Sequence, residues 1–261
     1  MPIDPGFRSP LVDLFRRGEV ARDVRLQAAR GALAPRVHEQ LALLIVLSDD
    51  EDVEISTSAN LTLDALPVSA LEGFLARSDV PQQMRDFFAA RGVTASATPA
   101  PGLDGPLGEE TDEPEPDESD DAEPAATQVL SSLSIVERMK LAMKGTKGHR
   151  AQLIRDSNKL VAAAVLSSPK LTSSEVEAFA KMANVTEDVL RAIAMNRQWV
   201  KNYGVISGLT RNPKTPPAIS MQMVQRLNEK DLKMLTMDRN VPEAVRLAAR
   251  KFLRKGPKDM S

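Results

Sequence analysis

Apolar residues along most of this chain recur at helical spacing rather than in the alternating pattern of β-strands. Residues 161–166 and 245–252 repeat apolar side chains three or four positions apart, which places them on one face of an α-helix. The apolar run at residues 41–47 is too short to cross a membrane and fits the buried face of a helix. The pattern predicts an all-α protein, with about four or five helices before residue 93 and about eight or nine after residue 129.

One block of regularly spaced apolar residues occurs three times, and this repeat is the strongest signal in the sequence. It begins at Leu66, Leu171 and Leu227. Each copy predicts a helix, a short turn in which Asp or Asn precedes Val, and a second helix. The matching positions that follow are Leu71, Val176 and Leu232; Phe74, Phe179 and Leu235; Val80, Val185 and Val241; and Met84, Val189 and Val245.

Two further repeats accompany the first. Residues 23–32 recur loosely 29 positions later. Periods of about 20–50 residues are typical of stacked helical units, each of which needs its neighbours to complete its core. The irregular spacing of the repeats indicates a degenerate solenoid. The other repeat comprises Asn158, Val161, Val165 and Pro169, which recur 44 residues later as Asn202, Val205, Leu209 and Pro213.

Several helix starts can be predicted from capping residues. Ser69 with Glu72, and Thr172 with Glu175, have the spacing of a capping box, in which each side chain satisfies a backbone amide at the helix start. Asn228 indicates a similar but weaker start.

Residues 94–128 differ in composition from both flanks. They contain 11 Asp and Glu, no Lys or Arg, and few large apolar residues. Such a segment cannot bury enough surface to offset its ordering entropy, so we expect it to be disordered. The sequence therefore predicts two helical-repeat modules, 1–93 and 129–261, joined by an acidic linker at 94–128.

Residues 23–33, Asp-Val-Arg-Leu-Gln-Ala-Ala-Arg-Gly-Ala-Leu, resemble the inner helix of a HEAT-type repeat. The turns Asn-Pro-Lys at 212–214 and Asn-Val-Pro at 240–242 are similar to those of variant helical-repeat proteins in bacteria, many of uncharacterised function. The resemblance covers both modules and omits the linker. It implies an α-solenoid that binds a partner, and it implies no catalytic residue.

The residue types that catalysis or metal binding would require are scarce in this chain. The chain has no cysteine and only two histidines, His38 and His149, so we predict no metal site, no cofactor and no enzymatic activity. Residues 144–149 have glycines three apart instead of the five of a phosphate-binding loop, and are interpreted as a helix–helix connection. With no apolar segment long enough to span a membrane, and no signal peptide at the start, we expect a cytoplasmic protein.

The second module is strongly basic. Residues 129–261 hold 24 Lys and Arg against 11 Asp and Glu, a net charge of +13. Trp199 and Tyr203 lie four positions apart in a predicted helix over residues 197–209 and would share one face. The candidate residues for binding a protein partner or a polyanion are Arg155, Lys159, Arg197, Trp199, Lys201, Tyr203, Arg211 and Lys214.

These features favour a non-enzymatic scaffold or adaptor that binds a protein partner through a helical-repeat surface. The alternative is a nucleic-acid-binding solenoid that uses the basic second module. Few aromatic residues are present to stack on bases, since they make up 3% of the chain. The acidic linker is either a spacer or a segment that competes with anionic partners for the basic module.

Overall fold

The computed structural model describes residues 3–33, 36–98, 107, 130 and 132–255, and within them it contains fifteen α-helices, one 3-10 turn and no β-strand. The predicted all-α class is therefore confirmed. The chain divides into two compact units, the first formed by Met1–Arg150 and Ala163–Lys170 and the second by Ala151–Ala162 and Leu171–Ser261. The predicted linker lies outside the described residues except for 94–98 and Leu107, so the predicted module boundaries stay a prediction.

The first unit is built around one fully buried helix, α3. Every residue of the apolar run at 41–47 is buried, as expected for a helix that is apolar on all sides. Helices α1, α2 and α4 pack against it. The helices of this unit are α1 (Pro10–Arg16), α2 (Arg22–Ala29), α3 (Val37–Leu47), α4 (Val53–Asp64), α5 (Val68–Leu75), α6 (Gln82–Ala90) and α7 (Ile135–Lys144).

Six helices precede residue 93, where four or five were predicted. Helix α1 has only seven residues, too few for a helical repeat of apolar positions to be recognised, and it begins with a proline after the capping residue Ser9. The predicted capping box of Ser69 and Glu72 is wrong. Helix α5 begins earlier, at Val68 after Pro67, and has no side-chain cap. Ser69 therefore lies inside the first turn, where its hydroxyl is not in the capping position.

The side chain of Gln40, buried in α3, holds the backbone of Leu107. Its amide nitrogen donates to the Leu107 carbonyl at 2.9 Å, and its amide oxygen accepts from the Leu107 N–H at 2.6 Å. Leu107 is itself buried. One residue of the segment predicted to be a linker is therefore packed against the first unit, with both of its backbone polar groups satisfied.

The second unit is a series of short helices joined by tight turns. Helices α8 and α9 are divided between the two units. The remaining helices lie wholly in the second unit. In chain order the elements are α8 (Lys147–Leu153), α9 (Lys159–Ser167), α10 (Ser173–Lys181), α11 (Glu187–Met195), the 3-10 turn Trp199–Lys201, α12 (Tyr203–Arg211), α13 (Pro217–Val224), α14 (Glu229–Met237) and α15 (Glu243–Lys255).

The repeated apolar positions form helical hairpins where the sequence predicts them. The three copies correspond to α5–α6, α10–α11 and α14–α15. All of the repeated apolar residues are buried except Leu171, which is half-buried. The Thr172–Glu175 capping box and the Asn228 cap are confirmed. The fold is thus helical-repeat-like at the level of its hairpins.

Two polar residues 44 positions apart, Ser168 and Asn212, bond to backbone at the end of a helix. The Ser168 hydroxyl donates to the carbonyl of Met143 near the end of α7, at 2.9 Å. The Asn212 amide donates to the carbonyls of Ala180 and Met182 at the end of α10, each at 2.9 Å. Both side chains are buried. They satisfy carbonyls that a helix leaves without an internal partner.

The glycine-containing segment at 144–149 connects two helices, as predicted. Helix α7 ends at Lys144 with Gly145 as its C-cap, and α8 begins at Lys147. The Nδ1 atom of His149 accepts from the Thr146 N–H at 3.2 Å. Burial, and then the charge of Arg150, lower the pKa of His149, in keeping with a neutral ring that accepts a hydrogen bond.

Candidate partner-binding surface

The clearest candidate site is the exposed face of α14 in the second unit. Leu232 and Leu235 point into the core and are buried. On the opposite face, spaced i, i+3, i+4 and i+7, lies what we call the α14 stripe: Lys230, Lys233, Met234 and Met237. Met234 is 43% exposed and Met237 is 78% exposed. Together with Glu229, the stripe lines an open, shallow surface of about 540 Å³, which we call the groove; all five lining residues belong to α14, so it is the face of a single helix.

A carboxylate on α14 holds two of the predicted site residues. The Arg211 guanidinium donates to Asp231 Oδ1 at 2.6 Å, and the Tyr203 hydroxyl donates to Asp231 Oδ2. The same hydroxyl accepts from the Asn228 N–H at 3.1 Å. Burial, and then the hydrogen bond to Asp231, raise the pKa of Tyr203, so the phenol keeps the proton that it donates.

This network lies directly beside the α14 stripe. Arg211 Nη2 is 3.9 Å from the sulfur of Met234. Tyr203 is 40% exposed, and its ring remains accessible while its hydroxyl is bonded. The structure therefore places a fixed arginine next to a methionine that a partner could contact, and a fixed tyrosine on the same carboxylate as that arginine. Tyrosine and arginine are the residue types enriched among the dominant contacts of protein interfaces.

Two glycines set the position of α12, which carries Tyr203 and Arg211. A Cβ on Gly204 would lie 2.2 Å from the carboxyl of Glu177, and one on Gly208 would lie 3.1 Å from the Cβ of Ala180. The missing side chain at Gly208 lets α12 approach the backbone of α10 closely, whereas the space at Gly204 is filled by the flexible end of Glu177. The sequence reasoning did not use these glycines, although their spacing of four residues places them on one helical face.

The predicted helix over residues 197–209, with Trp199 and Tyr203 on one face, is wrong. Trp199 belongs to a 3-10 turn, and Asn202 is extended at φ −73° and ψ 122°. The Asn202 side chain accepts from the Gly204 N–H and begins α12 as a new helix. This local hydrogen bond competes with continuation of the helix. Trp199 is half-buried, and Lys201 bonds to Gln198 at 2.9 Å.

Lys159 and Lys214 each contact a different residue near the start of α11. The ammonium of Lys159 lies 3.2 Å from the Asp188 carboxylate. Lys214 donates to the Val185 carbonyl, also at 3.2 Å. Arg155 and Arg197 are exposed. Of the eight predicted site residues, the structure thus joins Tyr203 with Arg211 through Asp231.

A second exposed stripe, the basic α15 stripe, consists of Leu247, Arg250, Lys251 and Arg254. None of these four residues is among the eight candidates predicted from the sequence. The sequence reasoning also missed Lys230, Lys233, Met234 and Met237 altogether. The signal that could have found them is their i, i+3, i+4, i+7 spacing opposite Leu232 and Leu235.

The described parts of the chain show no group of three or more His, Cys, Asp or Glu side chains that could hold a metal ion. Within the same ranges, every helix is too short or too polar to span a bilayer. Comparison of the chain with protein-family models, curated proteins and solved structures finds no significant match.

Proposed function

We propose that this chain is a non-enzymatic scaffold or adaptor that binds a protein partner through the helical-repeat surface of its second unit. The observation that carries the proposal is the exposure of Met234 and Met237 in a groove beside Tyr203 and Arg211. Methionine side chains are flexible and polarizable and adapt to the shape of an apolar partner.

The fixed polar network supports the same proposal. Asp231 holds Arg211 and Tyr203 before any partner arrives, so less side-chain entropy is lost on binding. Truncation of a residue that dominates an interface typically weakens binding by about 2 kcal/mol or more. A surface that combines ordered polar side chains with adaptable apolar ones suits recognition of a protein segment.

The test compares two methionines of equal exposure. Met237 is 78% exposed in the groove, and Met195 is 75% exposed at the end of α11. The full-length protein and its Met237→Glu and Met195→Glu variants are used as bait, and the bound proteins are quantified by mass spectrometry. We expect at least one protein to be retained by wild type and Met195→Glu and lost from Met237→Glu. Identical sets from all three baits would overturn the proposal.

Nucleic-acid binding is the second candidate, and the basic α15 stripe is the observation that favours it. Lys159, Arg211 and Lys214, which were predicted to contact a polyanion, already contact acceptors of the chain itself. A salt titration of the full-length protein with DNA and RNA tests this candidate, because each phosphate contact steepens the loss of affinity with salt. A steep slope that flattens in Arg250→Glu/Arg254→Glu supports it, and a flat response in wild type removes it.

A further inference from the structure

We infer that the occupant of the groove is an acidic amphipathic α-helix of a partner protein. This inference rests on the proposed function and adds the chemical class of the partner. Three properties of the groove carry it: its shape, the side chains that line it and the charge around it.

The shape of the groove follows a helix. The α14 stripe runs from Lys230 to Met237 along two turns of α14, a length of roughly 10 Å at 1.5 Å per residue. A partner helix that lies along it would present apolar side chains at i, i+3 or i+4, and i+7, which is the spacing of the apolar face of an amphipathic helix. Two to three turns of partner helix would cover the stripe.

The lining disfavours the other common ways of binding a peptide. Addition of a β-strand needs an exposed sheet edge, and the described residues contain no strand. Proline-rich peptides dock in aromatic-lined grooves. The five residues that line this groove are two methionines, two lysines and a glutamate. The flexible side chains of Met234 and Met237 can instead adapt to the varied apolar side chains of an amphipathic helix.

The charge around the groove favours a partner with carboxylates. Residues 228–255, which form the last helical hairpin, contain eight Lys and Arg and four Asp and Glu, a net charge of +4. Lys233 pairs with Glu229 at 2.5 Å, and both side chains are mostly exposed. Such a pair is held weakly, so Lys233 can exchange Glu229 for a partner carboxylate. Lys230 is exposed one turn away.

A nucleic acid fits these features less well than an acidic helix. Phosphate contacts would use the lysines and leave the methionines without a role. Single-stranded bases bind by stacking on aromatic side chains, and none of the five residues that line the groove is aromatic. Only a partner that carries apolar and acidic groups on one helix would contact both the methionines and the lysines of the α14 stripe.

The experiment measures binding of designed peptides to the full-length protein by fluorescence anisotropy. The probe is a labelled helical peptide of about three turns in contact length, with leucines on one face and glutamates on the flanks. Two comparison peptides have the glutamates replaced by lysines, or the leucines redistributed around the helix. Single-stranded DNA and RNA of the same net charge complete the set.

We expect only the acidic amphipathic peptide to bind. Met237→Glu should weaken its binding at least about tenfold, a change equivalent to about 1.4 kcal/mol, and Met195→Glu should leave it unchanged. Lys230→Glu/Lys233→Glu should weaken the acidic peptide and strengthen the lysine peptide. Because all of these positions are exposed, the substitutions should not impair folding, which circular dichroism checks.

Three results would overturn the inference. One is equal binding of the acidic and lysine peptides. Another is that DNA or RNA binds to the wild-type protein and that Met237→Glu abolishes this binding. The third is that the acidic peptide does not bind, although Met237→Glu as bait still fails to retain a protein that the wild type retains. That last result would leave the proposed function standing and reject only the acidic helix, whereas failure of the bait comparison itself would reject the proposed function.

Discussion

Arg211 on α12 donates to Asp231 on α14 at 2.6 Å, although the two residues are 20 positions apart in the chain. The Asp231 side chain is 14% exposed and that of Arg211 is 35% exposed, so the pair is only partly screened by solvent. Helix α13 lies between them in sequence. The pair therefore connects α12 with α14 and fixes the surface beside Met234.

Removal of the Asp231 carboxylate should destabilise the second unit. Asp231→Ala deletes the acceptor for both Arg211 and Tyr203, and we expect the free energy of unfolding to fall by about 1–3 kcal/mol. Tyr203→Phe removes the hydrogen bond to Asp231 and the one accepted from the Asn228 N–H, and should cost about 1–2 kcal/mol. Urea denaturation of the two single variants and the double variant measures both costs. Because Tyr203 and Asp231 share one hydrogen bond, the double variant should lose less than the sum of the two single variants, and simple additivity would contradict the shared network.

Alanine substitutions at the two glycines of α12 should differ in their effects. Alanine in a helix interior is favoured over glycine by about 1 kcal/mol. At Gly204 the obstructing atoms belong to the flexible end of Glu177, so Gly204→Ala should be near neutral. At Gly208 they include Ala180 and its backbone, 3.1–3.3 Å away, and the helices must separate.

We therefore expect Gly208→Ala to lower the midpoint of thermal unfolding and Gly204→Ala to leave it almost unchanged. Gly208→Val should cost about 1–3 kcal/mol through overpacking. A Gly208→Ala variant as stable as wild type would show that α10 and α12 can separate without loss.

The buried carboxyl of Glu39 should make stability depend on pH. Glu39 is 4% exposed in α3, and burial raises its pKa from 4.5 to about 7 against the opposing effects of Arg36 and of the Ser167 and Ser9 hydroxyls. Between these pH values the folded chain holds a proton that the unfolded chain has lost. The free energy of unfolding should therefore fall as the pH rises from 4.5 to about 7, and the Glu39 contribution should be constant above that.

The matched control is Glu39→Gln, which keeps the shape and cannot ionise. In the wild type, the contribution of Glu39 to the free energy of unfolding should be lower at pH 8 than at low pH, by about 3 kcal/mol as an upper bound. Denaturation of both proteins at pH 5 and pH 8 measures the difference. Parallel pH dependence of wild type and Glu39→Gln would mean that Glu39 ionises at its ordinary pKa in the folded protein.

The buried amide of Asn212 should matter more than the hydroxyl of Ser168. Asn212 donates to two carbonyls at the end of α10, and Ser168 donates to one at the end of α7. We expect Asn212→Ala to lower the free energy of unfolding by about 2–3 kcal/mol and Ser168→Ala by about 1 kcal/mol. Chemical denaturation ranks the two, and the reverse order would show that the carbonyls of α10 find other donors.

The hydrophobic pattern alone was sufficient to predict the all-α class and the buried positions of the three-fold repeat. The three-fold repeat identified which residues enter the core, from Leu71 to Val245, because burial of an apolar helix face follows directly from the spacing of its residues. The Thr172 and Asn228 caps were predictable for a similar reason, since a cap satisfies backbone amides within three residues of itself.

The surface depended on contacts that local sequence does not encode. Asn202 interrupts the helix predicted over residues 197–209, so Trp199 and Tyr203 do not share a face. Asp231 accepts hydrogen bonds from Tyr203 and Arg211, which lie 28 and 20 positions away in the chain. Only the packed structure could decide the two Asp231 pairings, because they join residues 28 and 20 positions apart, whereas the Asn202 hydrogen bond that ends the predicted helix is local.

The sequence by itself determined that the chain forms helical hairpins, because the spacing of apolar residues and caps acts within a few turns of a helix. The tertiary structure decided which polar and apolar side chains remain on the surface together. Met234 and Met237 resemble any core methionine in sequence, and their exposure follows from the face of α14 that Leu232 and Leu235 bury. Glu39 likewise resembles a surface residue, and its raised pKa follows from burial in α3.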